Sequence, residues 1–487
     1  MTMRTATIVI KDEVNIKIEG LELDVRKKLV NTFKYEIPGA RYQPSVRLGR
    51  WDGKVAYFQM GGSTYTNLLP EIVPILESYN YDILLDDQRT YNTTFEFERV
   101  TEDTFAHINW ADGHPMAGQP IKLRDYQVEI INNFLENPQA IQEIATGAGK
   151  TIMTAALSQR CEQHGRTVVI VPNKSLVTQT EKDYKGLGLD VGVYFGDRKE
   201  WGKTHTICTW QSLNILLKNT KAGAEVTIQD FLEDVVCVMV DEVHMAKADA
   251  LKTLLTTVMS KITIRWGLTG TVPKEAFEFQ ALKVSLGPVI NQLSASELQD
   301  KGVLAQCHVN VVQLVDHAEF KDYQSELKFL LEDKDRLKTI AKLVEQVKIT
   351  GNTLVLVDRV AAGHALVELL GDRAVFVSGA TKGKKRDEEY AEVADVDDKI
   401  LVCTFGVAAV GLNIPRLFNI VMIEPGKSFV RVIQSIGRGL RKADDKDFVQ
   451  IWDITSTCKF AKRHLSKRKQ FYKDAAYPFT QEKLEYK

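Results

Sequence analysis

The chain predicts an α/β protein, with two doubly wound parallel-sheet domains in tandem behind a smaller α+β module. Three observations carry that expectation. Runs such as Thr167-Val168-Val169-Ile170-Val171-Pro172 are continuously apolar, as strands covered on both faces of a parallel sheet require. Such runs alternate with loops and helical spacings from Leu123 onward, and the same grammar restarts at Thr353. Only the first series carries a small-residue loop that opens a helix, Ile144-Ala145-Thr146-Gly147-Ala148-Gly149-Lys150-Thr151.

A length of 487 residues suggests about three domains. Hydrophobic residues at 44% and charged residues at 26% are ordinary globular values for a chain able to bury several cores. Lys and Arg total 63 against 64 Asp and Glu, so any nucleic-acid site is a local track rather than a global field. Cys161, Cys208, Cys237, Cys307, Cys403 and Cys458 form no Cys-x-x-Cys pair. They read as reduced core residues of a cytosolic protein, not as zinc ligands or disulfides. No signal-peptide core or membrane-length apolar stretch is present, so no membrane partner is expected.

Residues 1 to 112 are expected to form a separate module. Alternation over Thr5–Ile10 and Val14–Ile18 predicts strands, and spacing over Leu21–Phe33 and Leu68–Tyr79 predicts helices, the second after the turn Gly61-Gly62-Ser63. The polar stretch Asp112–Gly118 reads as a linker. Residues 113–310 then form the first α/β domain and residues 311–487 the second. The second set comprises Thr353–Val357, a helix over Ala361–Leu370, Ala374–Val377, Ile400–Cys403 and Phe418–Ile423. Glu319–Val347 is charged and helical, a crossing segment between the two domains.

The loop's small residues let its N–H groups turn toward phosphate oxygens; Lys150 reaches the β/γ-phosphates and Thr151 offers a hydroxyl to Mg²⁺. Ile144 stands where the strict pattern has its early glycine. Further on, the apolar run Val235–Val240 delivers Asp241-Glu242-Val243-His244. Asp241 suits holding the metal through water, and Glu242 suits orienting and deprotonating the attacking water. Either element alone is commonly a plain loop or a solvated strand end; in this order they predict nucleoside triphosphate hydrolysis. In the second domain, Gln434-Ser435-Ile436-Gly437-Arg438-Gly439-Leu440-Arg441 follows an apolar strand. Its two arginines, expected on one turn, suit an arginine finger that stabilises charge on the γ-phosphoryl.

This ordered set resembles the superfamily 2 helicases over residues 120 to 460. Leu123-Arg124-Asp125-Tyr126-Gln127 looks like the adenine-reading motif, which implies contacts from Arg124 and Gln127. With them the resemblance assigns ATP to Thr146, Gly147, Ala148, Gly149, Lys150 and Thr151. Val171–Gln179 resembles motif Ia, with Asn173, Lys174, Ser175 and Gln179 on a nucleic-acid strand. Cys208–Leu213 looks like the next strand-contacting motif, with Thr209, Trp210 and Gln211. Leu268-Thr269-Gly270-Thr271 stands for motif III, which couples hydrolysis to movement; Gly270 replaces the more usual Ala or Ser. Motif IV brings Arg359, Ser378 and Gly379 to the track. Thr404–Pro415 resembles motif V, with Thr404 and Gly406 on the strand and Gly411 and Asn413 at the nucleotide. Asn413 stands where the family often has Asp. Gln434, Arg438 and Arg441 correspond to motif VI, and His244 links the ATP site to it. The resemblance implies two RecA-like domains, ATP with Mg²⁺, and backbone contacts of little sequence specificity. An Asp-Glu-Val-His box points toward DNA-acting groups.

Tyr42–Val55, with Leu68-Leu69-Pro70 after it, resembles the leading module of phage branch-migration helicases of the UvsW type. Arg47, Arg50 and Lys54 around Trp51 suit phosphate contact and base stacking, while Trp51 suits equally the core of a β-hairpin. The basic run Lys459–Lys469 fits a duplex backbone or a solvated helix face. The resulting expectation is an ATP-dependent DNA helicase or translocase that remodels forks, Holliday junctions, D-loops or R-loops in phage recombination, replication and repair. It is expected to work as a monomer in the host cytoplasm, with other phage proteins as partners. The alternatives are a helicase on RNA or RNA–DNA hybrids, and a nucleic-acid clamp with a decayed motor.

Overall fold

The computed structural model describes residues 4–111, 116–242, 248–379, 381, 388–393, 396–408, 414 and 416–486. It divides into two compact units, Met1–Glu143 with Gly149–Gln292, and Ile144–Ala148 with Leu293–Lys487. His244, Gly411 and Asn413 lie outside the described residues, as do the side chains of Gln434 and Arg438.

The first unit opens with a small sheet. Its strands are β1 (Arg4–Ile10), β2 (Asn15–Glu19), β5 (Ser63–Tyr65) and β6 (Tyr81–Asp87), in the order β5-β2-β1-β6. Between β2 and β5, β3 (Lys34–Glu36) and β4 (Lys54–Ala56) pair antiparallel as a separate ribbon. Alternation sets the register: Ile8 faces Ile18 and Ile10 faces Ile16 across β1 and β2. Helices Leu23–Thr32 and Leu69–Ser78 cover that buried face with Val25, Leu29, Ile72 and Leu76. The module is not self-contained. Its core continues into Phe277 and Val284 of the helix Ala276–Leu286. The Tyr57 hydroxyl donates to the Phe277 carbonyl at 3.3 Å, and Asn15 Nδ2 to the Thr256 carbonyl at 2.9 Å.

Residues 112–115 of the expected linker lie outside the described residues, and the chain already lies on the α/β domain before reaching them. Asn132 brackets Val100, accepting its N–H at 2.8 Å and donating to its carbonyl at 3.0 Å. His164 Nε2 meets the Glu96 carbonyl at 2.8 Å, and Phe97 packs on Trp266. This strap satisfies its backbone through side chains, which leaves no periodic pattern to read.

The α/β domain of the first unit is built on β7 (Gln139–Ile144), β8 (Arg166–Val171), β9 (Val191–Phe195), β10 (Arg198–Lys199), β11 (His205–Thr209), β12 (Val235–Asp241), β13 (Ile264–Thr269) and β14 (Val289–Leu293). Among the described residues the order is β10-β9-β11-β8-β12-β13-β7-β14, with β9 through β7 parallel. The second unit carries β15 (Gln306–Leu314), β16 (Thr353–Val357), β17 (Ala374–Val377), β18 (Ile400–Thr404), β19 (Asn419–Ile423), β20 (Phe448–Ser456) and β21 (Phe479–Leu484). Its order is β17-β18-β16-β19-β20-β15-β21, parallel throughout. β12, β16, β18 and β19 are almost wholly buried, which is why they read as unbroken apolar runs. The charged stretch after β15 is two helices, Tyr323–Glu332 and Lys334–Val347.

All six cysteines are buried free thiols. Among the described residues no group of three or more His, Cys, Asp or Glu side chains is placed to hold a metal ion, and no helix is long and apolar enough to cross a membrane.

Candidate active site

In a parallel sheet all strands end on one edge, and ligands gather there. β13 lies between β7 and β12, so the ends of these three strands are adjacent. β7 runs into the loop, where Gly147 has φ 91° and Gly149 φ 86°. Such left-handed backbone costs an L side chain free energy and glycine almost none. Gly149 carries a second constraint: a Cβ there would meet Gln127 Nε2 at 2.6 Å. The expected adenine-reading Gln127, 6% exposed, is thus held against the loop, its Oε1 accepting the Arg124 N–H at 2.9 Å. Arg124 caps the start of the helix Asp125–Leu135 and reaches the Tyr126 hydroxyl at 3.3 Å. The loop then enters the helix Lys150–Cys161, whose first turn carries Lys150 and Thr151.

Asp241 closes β12 and Glu242 follows at φ 52°, a left-handed conformation that costs a non-glycine residue on the order of 1 kcal/mol. The turn aims its carboxylate back into the site. Lys150 Nζ lies 3.0 Å from Glu242 Oε1, both side chains about a tenth exposed. Glu242 Oε2 accepts the Gly270 N–H at 3.2 Å. Gly270 belongs to the turn after β13, which Thr269 ties down by donating its hydroxyl to the Thr271 carbonyl at 2.7 Å. One carboxylate therefore touches the phosphate-loop lysine and the expected coupling motif. Glu143, which the sequence reading passed over, accepts the Val272 N–H at 3.1 Å, and burial raises its pKa. Its signal was a carboxylate next to the last residue of the strand that runs into the phosphate loop.

Thr151 and Asp241 offer a hydroxyl and a carboxylate, hard oxygen donors that fit Mg²⁺. A triphosphate would compete with Glu242 for the Lys150 ammonium, because both are anionic.

Motif VI differs from the expectation in one respect. Arg438 lies on the helix Phe429–Gly439, but Arg441 lies two residues beyond it, in a β-bridge to Leu304. The two arginines do not share a helical turn. The buried Lys446 ammonium donates to the Arg441 carbonyl at 2.8 Å and also binds the Gly439 carbonyl, closing the helix end. The loop residues Ile144–Ala148 belong to this second unit. Within it, a Cβ at Gly147 would lie 3.9 Å from Arg441 Cγ.

The expected nucleic-acid residues also gather at strand ends. Asn173 follows β8, Thr209 closes β11, and both act as helix caps: Asn173 Oδ1 accepts Leu176 N–H at 3.1 Å and Thr209 Oγ1 accepts Ser212 N–H at 3.3 Å. Lys174, Ser175, Gln179 and Gln211 are exposed. Trp210 is half-buried against the domain core, so its ring is partly committed to packing. In the second sheet Arg359, Ser378, Gly379, Thr404 and Gly406 stand at the ends of the adjacent strands β16, β17 and β18. Arg359 reaches Glu332 at 3.4 Å. In the small module Arg47, Arg50 and Lys54 are exposed around a half-buried Trp51, whose indole N–H donates to the Lys54 carbonyl at 3.0 Å.

Residues 120–274 match the family described as type III restriction enzyme, res subunit, and residues 335–443 match the helicase conserved C-terminal domain. The chain is 23% identical over 466 residues to the ATP-dependent DNA helicase uvsW of Enterobacteria phage T4, covering 91% of this chain and 89% of that one. It is 23% identical over 379 residues to the DNA 3'-5' helicase XPB of Kineococcus radiotolerans, covering 73% and 64%. The structure of S. cerevisiae Dbp5 bound to RNA and ADP BeF3 superposes at TM-score 0.54, with 16% identity over 74% of this chain and 90% of that one, a likeness of fold. Two matched domains in this order, each on its own parallel sheet, place the chain in the superfamily 2 helicases, enzymes that hydrolyse ATP and bind nucleic acid.

Proposed function

We propose that this helicase is a DNA motor that remodels branched substrates, with Glu242 as the base of its ATPase. The observation that carries the ATPase assignment is Glu242 bridging Lys150 and the Gly270 N–H. As a triphosphate enters, Lys150 exchanges the Glu242 carboxylate for the β/γ-phosphates. Glu242, still held through Oε2, then accepts a proton from the attacking water. Thr151 and Asp241 would hold Mg²⁺, which when bound would supply positive charge against the phosphate oxygens. Arg441, with Arg438, stabilises the charge that develops on the γ-phosphoryl. Because Gly270 follows the position of Glu242, the turn after β13 senses that exchange.

DNA is favoured as the track because the T4 and Kineococcus relatives are named DNA helicases. Residues 1–112 serve as the branch-sensing accessory module, 113–310 as the ATP-binding domain and 311–487 as its partner. The phage origin of one relative supports work inside an infected host, and other phage proteins are proposed beside it. The RNA reading is kept because Dbp5, of the same fold, is bound to RNA. ATPase and unwinding measured together on forks, four-way junctions, D-loops, R-loops and RNA duplexes separate these readings. Stimulation by branched DNA above linear DNA is expected; stimulation by RNA alone would overturn the assignment.

A further inference from the structure

The helix Lys459–Asp474 has two faces with different work. Ala461, Leu465, Arg468 and Tyr472 are buried, while Phe460, Arg463, His464 and Lys467 recur at positions i, i+3, i+4 and i+7 on the other side. That second face lines a cavity of about 530 Å³ with Lys427 from the loop after β19 and Tyr323 from the neighbouring helix. Its cations are not spent on partners: among the described residues, no carboxylate lies within ion-pairing distance of Lys427, Arg463 or Lys467. The nearby carboxylates are committed elsewhere, Glu326 to the N–H groups of Phe460 and Ala461 at 3.0 and 2.7 Å, and Asp453 to Arg468 at 2.8 Å. The helix start is therefore already capped, and the attraction for an anion comes from side chains.

Aromatic groups interleave the charges. Arg463 and Lys459 both lie about 6 Å from the Phe460 ring, and Tyr323 meets the His464 ring edge-on at 4.7 Å. Burial together with Arg468, Lys427 and Lys467 depresses the His464 pKa to about 4, so His464 is neutral near pH 7 and presents a donor without adding to the repulsion. The position is also continuous with the expected strand track. β19 is the neighbour of β16, which leads to Arg359, and Arg359 reaches Gln324 and Glu332 on the helix that begins with Tyr323.

We propose that Lys427, Arg463, His464 and Lys467 form a backbone-phosphate site for a DNA strand, with Phe460 and Tyr323 as the stacking surface for its sugar or base. This rests on the reading of the chain as a DNA motor and extends its track past the helicase motifs. Each phosphate neutralised lowers the slope of log affinity against log salt by about 0.7 for single strands to 0.9 for duplex.

The experiment compares the full chain with the triple variant Lys427→Gln, Arg463→Gln, Lys467→Gln, titrated with single-stranded and duplex oligonucleotides from 50 to 300 mM salt. The expected result is a slope smaller by about 2, with binding at least tenfold weaker near 100 mM salt. Lys→Arg replacements at 427 and 467 should restore it. In parallel, a bromodeoxyuridine-substituted strand is photocrosslinked to the unaltered chain, which does not depend on the variant folding. Crosslinks within residues 459–467 or at Tyr323 support the site. An unchanged slope in a folded variant, or crosslinks confined to other segments, overturns it while leaving the motor reading intact. Absence of salt-dependent DNA binding by the unaltered chain overturns both.

Discussion

Glu242 illustrates how much of one residue's role depends on its neighbours. Its carboxylate is divided between an ammonium and a backbone N–H, in a left-handed turn that fixes its direction. Glu242→Gln keeps the length and an acceptor for Gly270 but removes the basic oxygen and the Lys150 ion pair. Turnover should fall by about 10²-fold or more, while ATP affinity holds or rises because Lys150 no longer has a competing anion. Equilibrium binding and single-turnover hydrolysis decide it; near wild-type hydrolysis would remove Glu242 as base. Lys150→Ala should lose ATP binding itself, and a variant that binds ATP as tightly as wild type would refute the exchange. Arg441→Ala should lower kcat by about 10³-fold if the guanidinium acts at the γ-phosphoryl, and a loss of only a few-fold with unchanged ATP affinity would make it structural. Lys150, Asp241 and Glu242 were legible because their chemistry is local: a loop, a strand end and fixed residue types. Gly270 on Glu242 and Glu143 on Val272 were not, since those contacts join residues 28 and 129 apart in the chain and sequence carries no sign of their pairing.

Parallel strands were the most readable elements, because burial on both faces leaves an unbroken apolar run. What such runs conceal is the polar chemistry at their ends. Just past β15 and β19 and within β20, Arg336 and Arg468 face three carboxylates, Asp316, Glu424 and Asp453, all of them buried. Two guanidiniums neutralise two carboxylates. Burial, against the pull of Arg336 and Arg468, raises the Glu424 pKa from 4.5 to about 7, so Glu424 is the member that keeps a proton. Below pH 4.5 Glu424 is protonated in both the folded and unfolded chain and the stabilisation is fully present. As pH rises toward 7 the unfolded chain releases this proton first, so stability falls by up to about 1.4 kcal/mol per pH unit across that window. Glu424→Gln should flatten this trend, read as Tm against pH from 5 to 8 for the two proteins. Parallel curves would show that Glu424 is ionised throughout. The helix that should have carried both motif VI arginines ends at Gly439, where Lys446, from beyond the helix, donates to the Gly439 carbonyl and to that of Arg441 after it.

For the whole molecule, the leading module joins the motor through a shared core rather than a flexible tether. Amphipathic patterning announced that its strands and helices bury one face, but patterning cannot say what covers that face, and Phe277 and Val284 lie some 200 residues further on. Removing residues 1–112 would expose both side chains together with the surface around Tyr57. Truncation should therefore lower Tm and promote aggregation, and lost activity in such a fragment would not report on DNA. Phe277→Ala is the matching point test, expected to cost about 3 kcal/mol as a large buried aromatic is deleted, with module and motor melting at a lower common temperature. Branch recognition is better tested on the surface. Arg50 and Lys54 are exposed and make no ion pair among the described residues, whereas Asp52 between them is held by Lys34 at 2.5 Å. Arg50→Ala with Lys54→Ala should leave Tm unchanged while weakening four-way-junction binding about tenfold near 100 mM salt, as loss of roughly two phosphate contacts requires. Linear duplex should lose far less, because the motor's own strand-end contacts remain. Equal losses on both substrates would make this surface a general anchor, and no loss on either would leave the module to stabilise the α/β domain it packs against.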